Sequence, residues 1–583
     1  MPKISFRCLL FLLSLACVLP IWAEEPQGVP PIRVVYFTPS DRTPPECRHE
    51  RLGRVMKNIQ EFYRKGMEAN GHGPKTFALE WETPERLRLY DVRGQRPFEG
   101  YPKGTEQIVF DEVRNAFRQQ GINIDNEFTL VLGAWIEWKD GTTREVGPFS
   151  GMGNMFNGIA FACDDKLIDA ALMASKEPGG FHYRIGHCSL GEYSSRYMGG
   201  IAHELGHAFG VPHDSERASQ RDTLGISLMG VGNQYYGKAL RGGEGHDAFR
   251  LGKHDAFLSP ASALLLSQSR AFDPNFTRTA GRFDIDQLDA SFQDGKLIVT
   301  LKVRSVDRLI GAIAYNDNLL IPDDYDAKAW LAVSENPGEF RWEIDELDYA
   351  PYEMRLVIVF QNSRAEVFPI RYSNISGTPT MQAFSDTFAR HLVNGFLDQQ
   401  AWDKVAAVIE KQIEKFPQCP VWQQKLEHLE TVKNPPEFFE VDKVPEEVKM
   451  VDMTYAKALE ARVAWFEPSR GILRQFGFIE VDGTFFTSGI YAHADSLYRF
   501  SLGTQWTSFR FKFGVQDENP GAIVFIVRGD GKEIFRSGTV RAGEIRFTQI
   551  DVSGVEVLEL ITEYADDFTR FGRGLWLEPQ LVR

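Results

Sequence analysis

The run His203-Glu204-Leu205-Gly206-His207-Ala208-Phe209-Gly210-Val211-Pro212-His213-Asp214 decides how the rest of the chain is read. His203 and His207 stand four residues apart, so on an α-helix they share one face and both imidazoles reach a single ion. Neutral imidazole suits Zn²⁺. Met198, Ile201, Ala202, Leu205 and Phe209 supply the apolar flanks that seat such a helix in a core. Gly210 is free to take a positive φ, end the helix and bring His213 back as a third ligand. Three protein ligands leave one tetrahedral position for water, the arrangement of a catalytic zinc. Glu204 lies about 100° round the helix from His203. It therefore faces that water without ligating, takes its proton as general base and passes it to the leaving amine. The expectation is one Zn²⁺ per chain on His203, His207 and His213. Three buried histidines with no metal would gather costly polar rings without partners.

Outward from the motif, residues 24–265 alternate strands and helices, which predicts an α/β catalytic domain. Ile32–Phe37, Thr76–Glu82, Phe128–Trp138 and Gly158–Cys163 are predicted strands. Leu52, Val55, Met56, Ile59, Phe62 and Tyr63 recur at helical spacing and predict a helix over Arg48–Ala69. Val109, Val113, Ala116 and Phe117 predict a second helix ending at Gly121. Residues 266–378 change to short alternating runs, such as Lys296–Lys302 and Met354–Phe360, and predict a β-sandwich. Its acidic stretch, Asp317 to Asp326, lacks calcium-loop spacing and reads as a solvated turn. Residues 379–435 read as a helical hairpin linker of tetratricopeptide type, with Trp402, Val405, Val408, Ile409 and Ile413 on one face. Residues 436–583 read as a second β-sandwich.

The string H-E-x-x-H-x-x-G-x-x-H-D resembles the metzincin clan of zinc peptidases. The resemblance implies a methionine turn under the metal, matched by Met229 in Ser227-Leu228-Met229-Gly230. The extra tyrosine some metzincins place two residues later is not implied, since Val231 stands there. Asp214 resembles the aspartate that follows the third histidine, read as bracing the turn together with Gly210. The glycine-rich stretch Gly230–Gly245 falls where metzincins build the pocket wall beyond the scissile bond; a plain surface loop is the alternative. His182, His187, His246 and His254 read as surface or satisfied core residues. Cys47 lacks the surroundings of a cysteine switch.

The C-terminal stretches Gly489–Ser496, Phe509–Asp517, Val524–Lys532 and Trp576–Pro579 resemble the NPCBM family of carbohydrate-binding modules. The resemblance implies a β-sandwich and sugar binding. Aromatic rings stack on pyranose faces, so Trp465, Tyr491, Trp506 and Trp576 are the candidate glycan-binding residues, with core packing as the competing role. Gly529-Asp530-Gly531 between apolar runs predicts a hairpin.

Composition narrows the setting. Lys plus Arg number 65 against 80 Asp plus Glu, a net charge of −15. That balance disfavours nucleic acid and anionic lipid as partners. Lys3 and Arg7, the apolar run Leu9–Leu19 and Ala23 before Glu24-Glu25 read as a signal peptide over residues 1–23. A lipoprotein signal ending at Cys17 is the rival, disfavoured by Ser14. No stretch is long enough to span a bilayer. Four cysteines follow the signal, and Cys163 with Cys188 is the first choice for a disulfide, with all four free as the alternative. The reading is a secreted or periplasmic multidomain zinc endopeptidase whose partner is a protein or glycoprotein substrate, with carbohydrate held by the C-terminal module. The alternative is a glycan-binding, adhesin-like protein with an inactive peptidase domain.

Overall fold

A computed structural model describes residues 25–182, 184, 186–243, 254–321, 324–334, 336–473, 477–516, 521–565 and 572–583. The leader expected at residues 1–23, and His246, lie outside the described residues. The chain forms two compact units. One joins the residues up to Asp286 with Gln293–Val367; the other joins Gln287–Phe292 with Phe368–Arg583.

The first unit is built on a five-stranded sheet. Its strands are β1 (Arg33–Thr38), β2 (Tyr90–Arg93), β3 (Phe128–Gly133), β4 (Ser150–Gly153) and β5 (Gly158–Cys163), in the order β2-β1-β3-β5-β4. The first four in that order run parallel, and β4 closes the edge antiparallel to β5. β1, β3 and β5 are buried on both faces, as their continuous apolar runs require. Helix α1 (Arg48–Ala69) has the span its periodicity predicts and buries Leu52, Val55, Met56, Ile59 and Tyr63. Helix α2 spans Glu106–Gln119.

Two predicted strands differ. Of the first, Thr76–Glu82, only the last two residues lie in a strand, which spans Trp81–Thr83. The second breaks after Gly133 because Trp135 folds back: its N–H donates to the Gly133 carbonyl at 2.8 Å, and its indole occupies the space a Cβ on Gly133 would need. The chain resumes as Ile136–Lys139 in a separate four-stranded sheet with Thr142–Glu145, Pro178–His182 and Gly186–Ser189.

The β-sandwich that follows shares a core with the α/β layer instead of standing apart at residue 266. The helix Pro260–Ser267 is apolar nearly all round and almost wholly buried. Its Ala261, Leu264 and Leu265 pack with Ile313, Tyr315, Val357 and Val359 of the sandwich strands Leu309–Asn318 and Pro351–Phe360.

In the second unit the expected helical hairpin is three helices, Gln382–Asp398, Trp402–Lys415 and Pro420–Lys433. The first break carries no glycine or proline; Gln400 takes φ 54°, so nothing in the sequence flags it. The helices are not a free linker. Trp422 and Leu429 share a core with Phe478 of the following module, and the buried ammonium of Lys425 pairs with Glu480, 4.2 Å from the centre of the Trp422 ring. The module itself has two five-stranded sheets and a two-stranded one, Ile479–Val481 with Thr484–Phe486. The hairpin Ala522–Gly529 to Lys532–Arg541 turns at Asp530 and Gly531, both with positive φ.

All four described cysteines are free, which corrects the expected Cys163–Cys188 disulfide. The buried Cys163 thiol faces the Pro148 carbonyl and the Cys188 thiol faces the Gly180 carbonyl. Among the described residues no helix is long and apolar enough to cross a membrane.

Candidate metal centre

Helix α3 (Leu190–Ala208) begins at Ser189, whose hydroxyl caps the Glu192 N–H at 3.1 Å. The Tyr63 hydroxyl of α1 donates to the Ala202 carbonyl at 2.7 Å and pins the helix one residue before His203. The C-terminus is a Schellman turn: Gly210 N–H bonds to His207 O at 2.9 Å and Val211 N–H to Gly206 O at 3.0 Å, with Gly210 at φ 86°. That turn sends residues 211–213 back beneath the helix.

The ligand atoms of His203, His207 and His213 all lie within 4.8 Å of one another. Nε2 of His207 is 3.1 Å from that of His203 and 3.0 Å from that of His213. Each Nδ1 has its own acceptor: Leu228 O at 2.8 Å for His203, Val211 O at 2.9 Å for His207, and the Asp324 carboxylate at 2.6 Å for His213. Protons held on Nδ1 leave three bare Nε2 lone pairs pointed at one another. Such an arrangement repels itself unless a cation fills the centre. Ligands about 2.0–2.1 Å from a tetrahedral zinc are about 3.3 Å apart, so these residues fit the metal. Burial, and then the neighbouring imidazoles, push the His203 pKa down to about 3 and that of His207 to about 4, which keeps both rings neutral as ligands must be.

Glu204 is 8% exposed, and burial raises its pKa to about 8 against the opposing pull of the Gly151 N–H on β4. Met229 is buried beneath the helix; a Cβ on Gly206 would come within 2.4 Å of its sulfur, so glycine at 206 is what lets the methionine seat there. The same turn supplies the Leu228 carbonyl to His203. Asp214 is fully buried and accepts hydroxyls from Ser227, Ser259 and Ser262. It thus ties the His213 loop to the methionine turn and to the helix Pro260–Ser267.

The acidic stretch read as a solvated turn is instead part of the centre. Besides holding His213, Asp324 accepts from Arg355 at 2.9 Å. Burial raises its pKa, but these two partners outweigh it and hold the carboxyl below its ordinary value. Tyr325 lies against the His213 ring with centroids 3.9 Å apart. Ser215 N–H bonds to Ala327 O at 2.6 Å, and Arg364 donates to the Gly210 carbonyl. The sandwich therefore clamps the loop that carries the third histidine.

A pocket of about 240 Å³ opens beside Glu204, lined also by Lys103, Glu145, Arg184, Arg196 and Tyr325. In the C-terminal module three of the four aromatic candidates are core residues. Tyr491, Trp506 and Trp576 are at most 1% exposed, and Trp576 packs against Phe511 and Phe525. Only Trp465, 54% exposed, presents a face to solvent.

Residues 448–582 match the NPCBM/NEW2 domain family. The chain also shares a fold with solved structures of OgpA from Akkermansia muciniphila, one of them a catalytically inactive form in complex with an O-glycopeptide substrate. That likeness has 23% identity and a TM-score of 0.50, covering 61% of this chain and 96% of the other. Lesser likenesses are to CBM51 from Clostridium perfringens GH95 in complex with methyl-galactose (19% identity, TM-score 0.22, 23% of this chain and 99% of the other). Another is to the M60 catalytic domain with two CBM51 domains from Clostridium perfringens ZmpB (13%, 0.23, 67% and 40%). No curated protein matches the chain.

Proposed function

We propose that this chain is an exported zinc endopeptidase of metzincin type that cleaves glycoproteins, with its NPCBM/NEW2 domain holding the glycan. The observation that carries the reading is the convergence of three Nε2 atoms whose Nδ1 partners are all satisfied, with a buried carboxylate one residue along the helix. Zn²⁺ held by His203, His207 and His213 supplies a Lewis acid for water and for the substrate carbonyl. The chain's own residues do the rest. Glu204, poised by burial near neutral pH, takes a proton from water and delivers it to the leaving amine. Met229 and Asp214 keep the histidines in place. β4 is an edge strand beside α3, so a peptide can pair along it as an added strand. The fold likeness to OgpA, solved with an O-glycopeptide, and the C-terminal domain both favour a glycosylated substrate. Trp465 is the aromatic placed to meet a sugar.

Elemental analysis, paired with cleavage of a glycopeptide library with and without chelator, tests the proposal. The expected result is one zinc per chain and chelator-sensitive cleavage beside glycosylated residues. Zinc bound without any proteolysis would leave the glycan-binding alternative standing.

A further inference from the structure

The sandwich strands Leu309–Asn318 and Pro351–Phe360 run antiparallel, so the residues after Asn318 and those before Pro351 share one end of the sheet. Leu319 N–H donates to the Pro351 carbonyl at 3.0 Å and fixes that meeting. This end is apolar and wet. Leu319, Leu320, Ile321 and Tyr349 are each between 43% and 76% exposed. A single exposed apolar side chain, such as Val306 at the opposite end of the same strand, is ordinary; three in a row facing a tyrosine form a patch. Asn318 shapes the patch in advance. Its carbonyl accepts the Ile321 N–H at 3.0 Å, and its side chain accepts the Leu320 N–H at 3.1 Å. Side chains held on such a turn lose little backbone freedom when something covers them.

The position of the patch argues for its occupant. Asp324, which holds His213, follows Ile321 by three residues, so their Cα atoms are at most about 11 Å apart. Tyr325, itself exposed, lies against His213 and lines the pocket beside Glu204. The apolar end is therefore continuous with the metal centre. Charge speaks against the other occupants. Residues 309–327 and 342–354, which flank the patch in sequence, hold no Lys or Arg, while Asp317, Asp324, Asp326, Asp345, Glu346, Asp348 and Glu353 fall within them. Such a surface repels anionic lipid, and it repels a second copy of itself in a two-fold contact.

We propose that Leu319–Ile321 with Tyr349 is a docking surface for the polypeptide of the substrate, where an aliphatic or aromatic side chain seats. The inference rests on the peptidase reading above and adds a preference in the peptide, apart from the glycan. An extended peptide advances about 3.3 Å per residue, so the chain leaving the metal centre meets the patch about three to six residues from the scissile bond.

The test uses one glycopeptide in which each position out to about seven residues on either side of the scissile bond is in turn leucine or serine. kcat/KM is measured with the full-length zinc protein, and binding of the same peptides with the Glu204→Gln variant. Leucine is expected to be favoured about tenfold at one or two adjacent positions away from the cut, the scale of half-burying its side chain. The ratio should fall toward one in Leu320→Ser/Tyr349→Ser and persist in Val306→Ser. Because it is a ratio within each protein, a partly unfolded variant does not mimic its loss. Serine handled as well as leucine at every such position overturns the inference and leaves the peptidase reading intact, as does a preference unchanged in the double variant. Binding to phosphatidylcholine vesicles, or self-association in sedimentation, that the double variant abolishes while no leucine preference exists assigns the patch to lipid or to a second copy and overturns the inference. Failure to bind or cleave any of the peptides, glycosylated or bare, overturns both.

Discussion

Replacing Asp324 with asparagine isolates what the sandwich gives the metal centre. The side chain keeps its size, but the carboxylate that accepts the His213 Nδ1 proton at 2.6 Å loses its charge, and Arg355 loses its anionic partner at 2.9 Å. Two effects then weaken metal binding. The His213 ring is a poorer donor through Nε2 when its Nδ1–H faces a neutral amide, and the Arg355 charge near the metal is no longer offset. Losing such an outer partner commonly costs about 10–100-fold in metal affinity, or about 1.4–2.7 kcal/mol. The Asp324 side chain is 32% exposed, so solvent screening places the effect near tenfold. Arg355→Gln keeps the carboxylate on His213 and should cost only about two- to threefold. The assay is competition for zinc against a chromophoric chelator, with apo protein checked by circular dichroism. Zinc affinity in Asp324→Asn within twofold of wild type would refute the reasoning, and a loss as large in Arg355→Gln would show that the tether, not the charge on His213, matters.

Glu204→Ala should lower kcat/KM about 10²–10⁴-fold while elemental analysis still finds one zinc. Gly206→Ala should destabilise the protein by about 1–3 kcal/mol in denaturant unfolding through its collision with Met229, and Met229→Ala in the same chain should relieve part of that loss. Trp465→Ala should weaken retention of the full chain on immobilised glycan with little change in melting temperature. Trp576→Ala, a core deletion, should cost about 3–5 kcal/mol of stability instead.

The sequence disclosed what depends on near neighbours in the chain. His203, His207, Gly210 and His213 span eleven positions, and helix geometry with one glycine turn relates them. The burial of α1 follows from its periodicity in the same way. Asp324 and Tyr325 meet His213 across 111 residues of chain, and nothing in Asp323-Asp324-Tyr325-Asp326 distinguishes a metal-site loop from a wet turn. Three of the four aromatic candidates, Tyr491, Trp506 and Trp576, are core for a different reason. Tyr491 sits in a strand buried throughout and Trp576 in the buried run Gly574–Leu577, where an aromatic faces core whichever side it takes. Their apolar neighbours Ile490, Leu575 and Leu577 carried that signal. Cysteine pairing left no trace at all, since Cys163 and Cys188 are ordinary small apolar occupants of their strands.

The span of 111 residues between His213 and Asp324 also has a meaning in time. Synthesis at roughly 5–20 residues per second separates their appearance by about 6–22 seconds. During that interval the nascent chain holds every histidine of the centre but not the carboxylate or the clamp that fixes the third. Under the proposed function, the centre gains the last, roughly tenfold, part of its metal affinity only once the sandwich has folded onto the His213 loop.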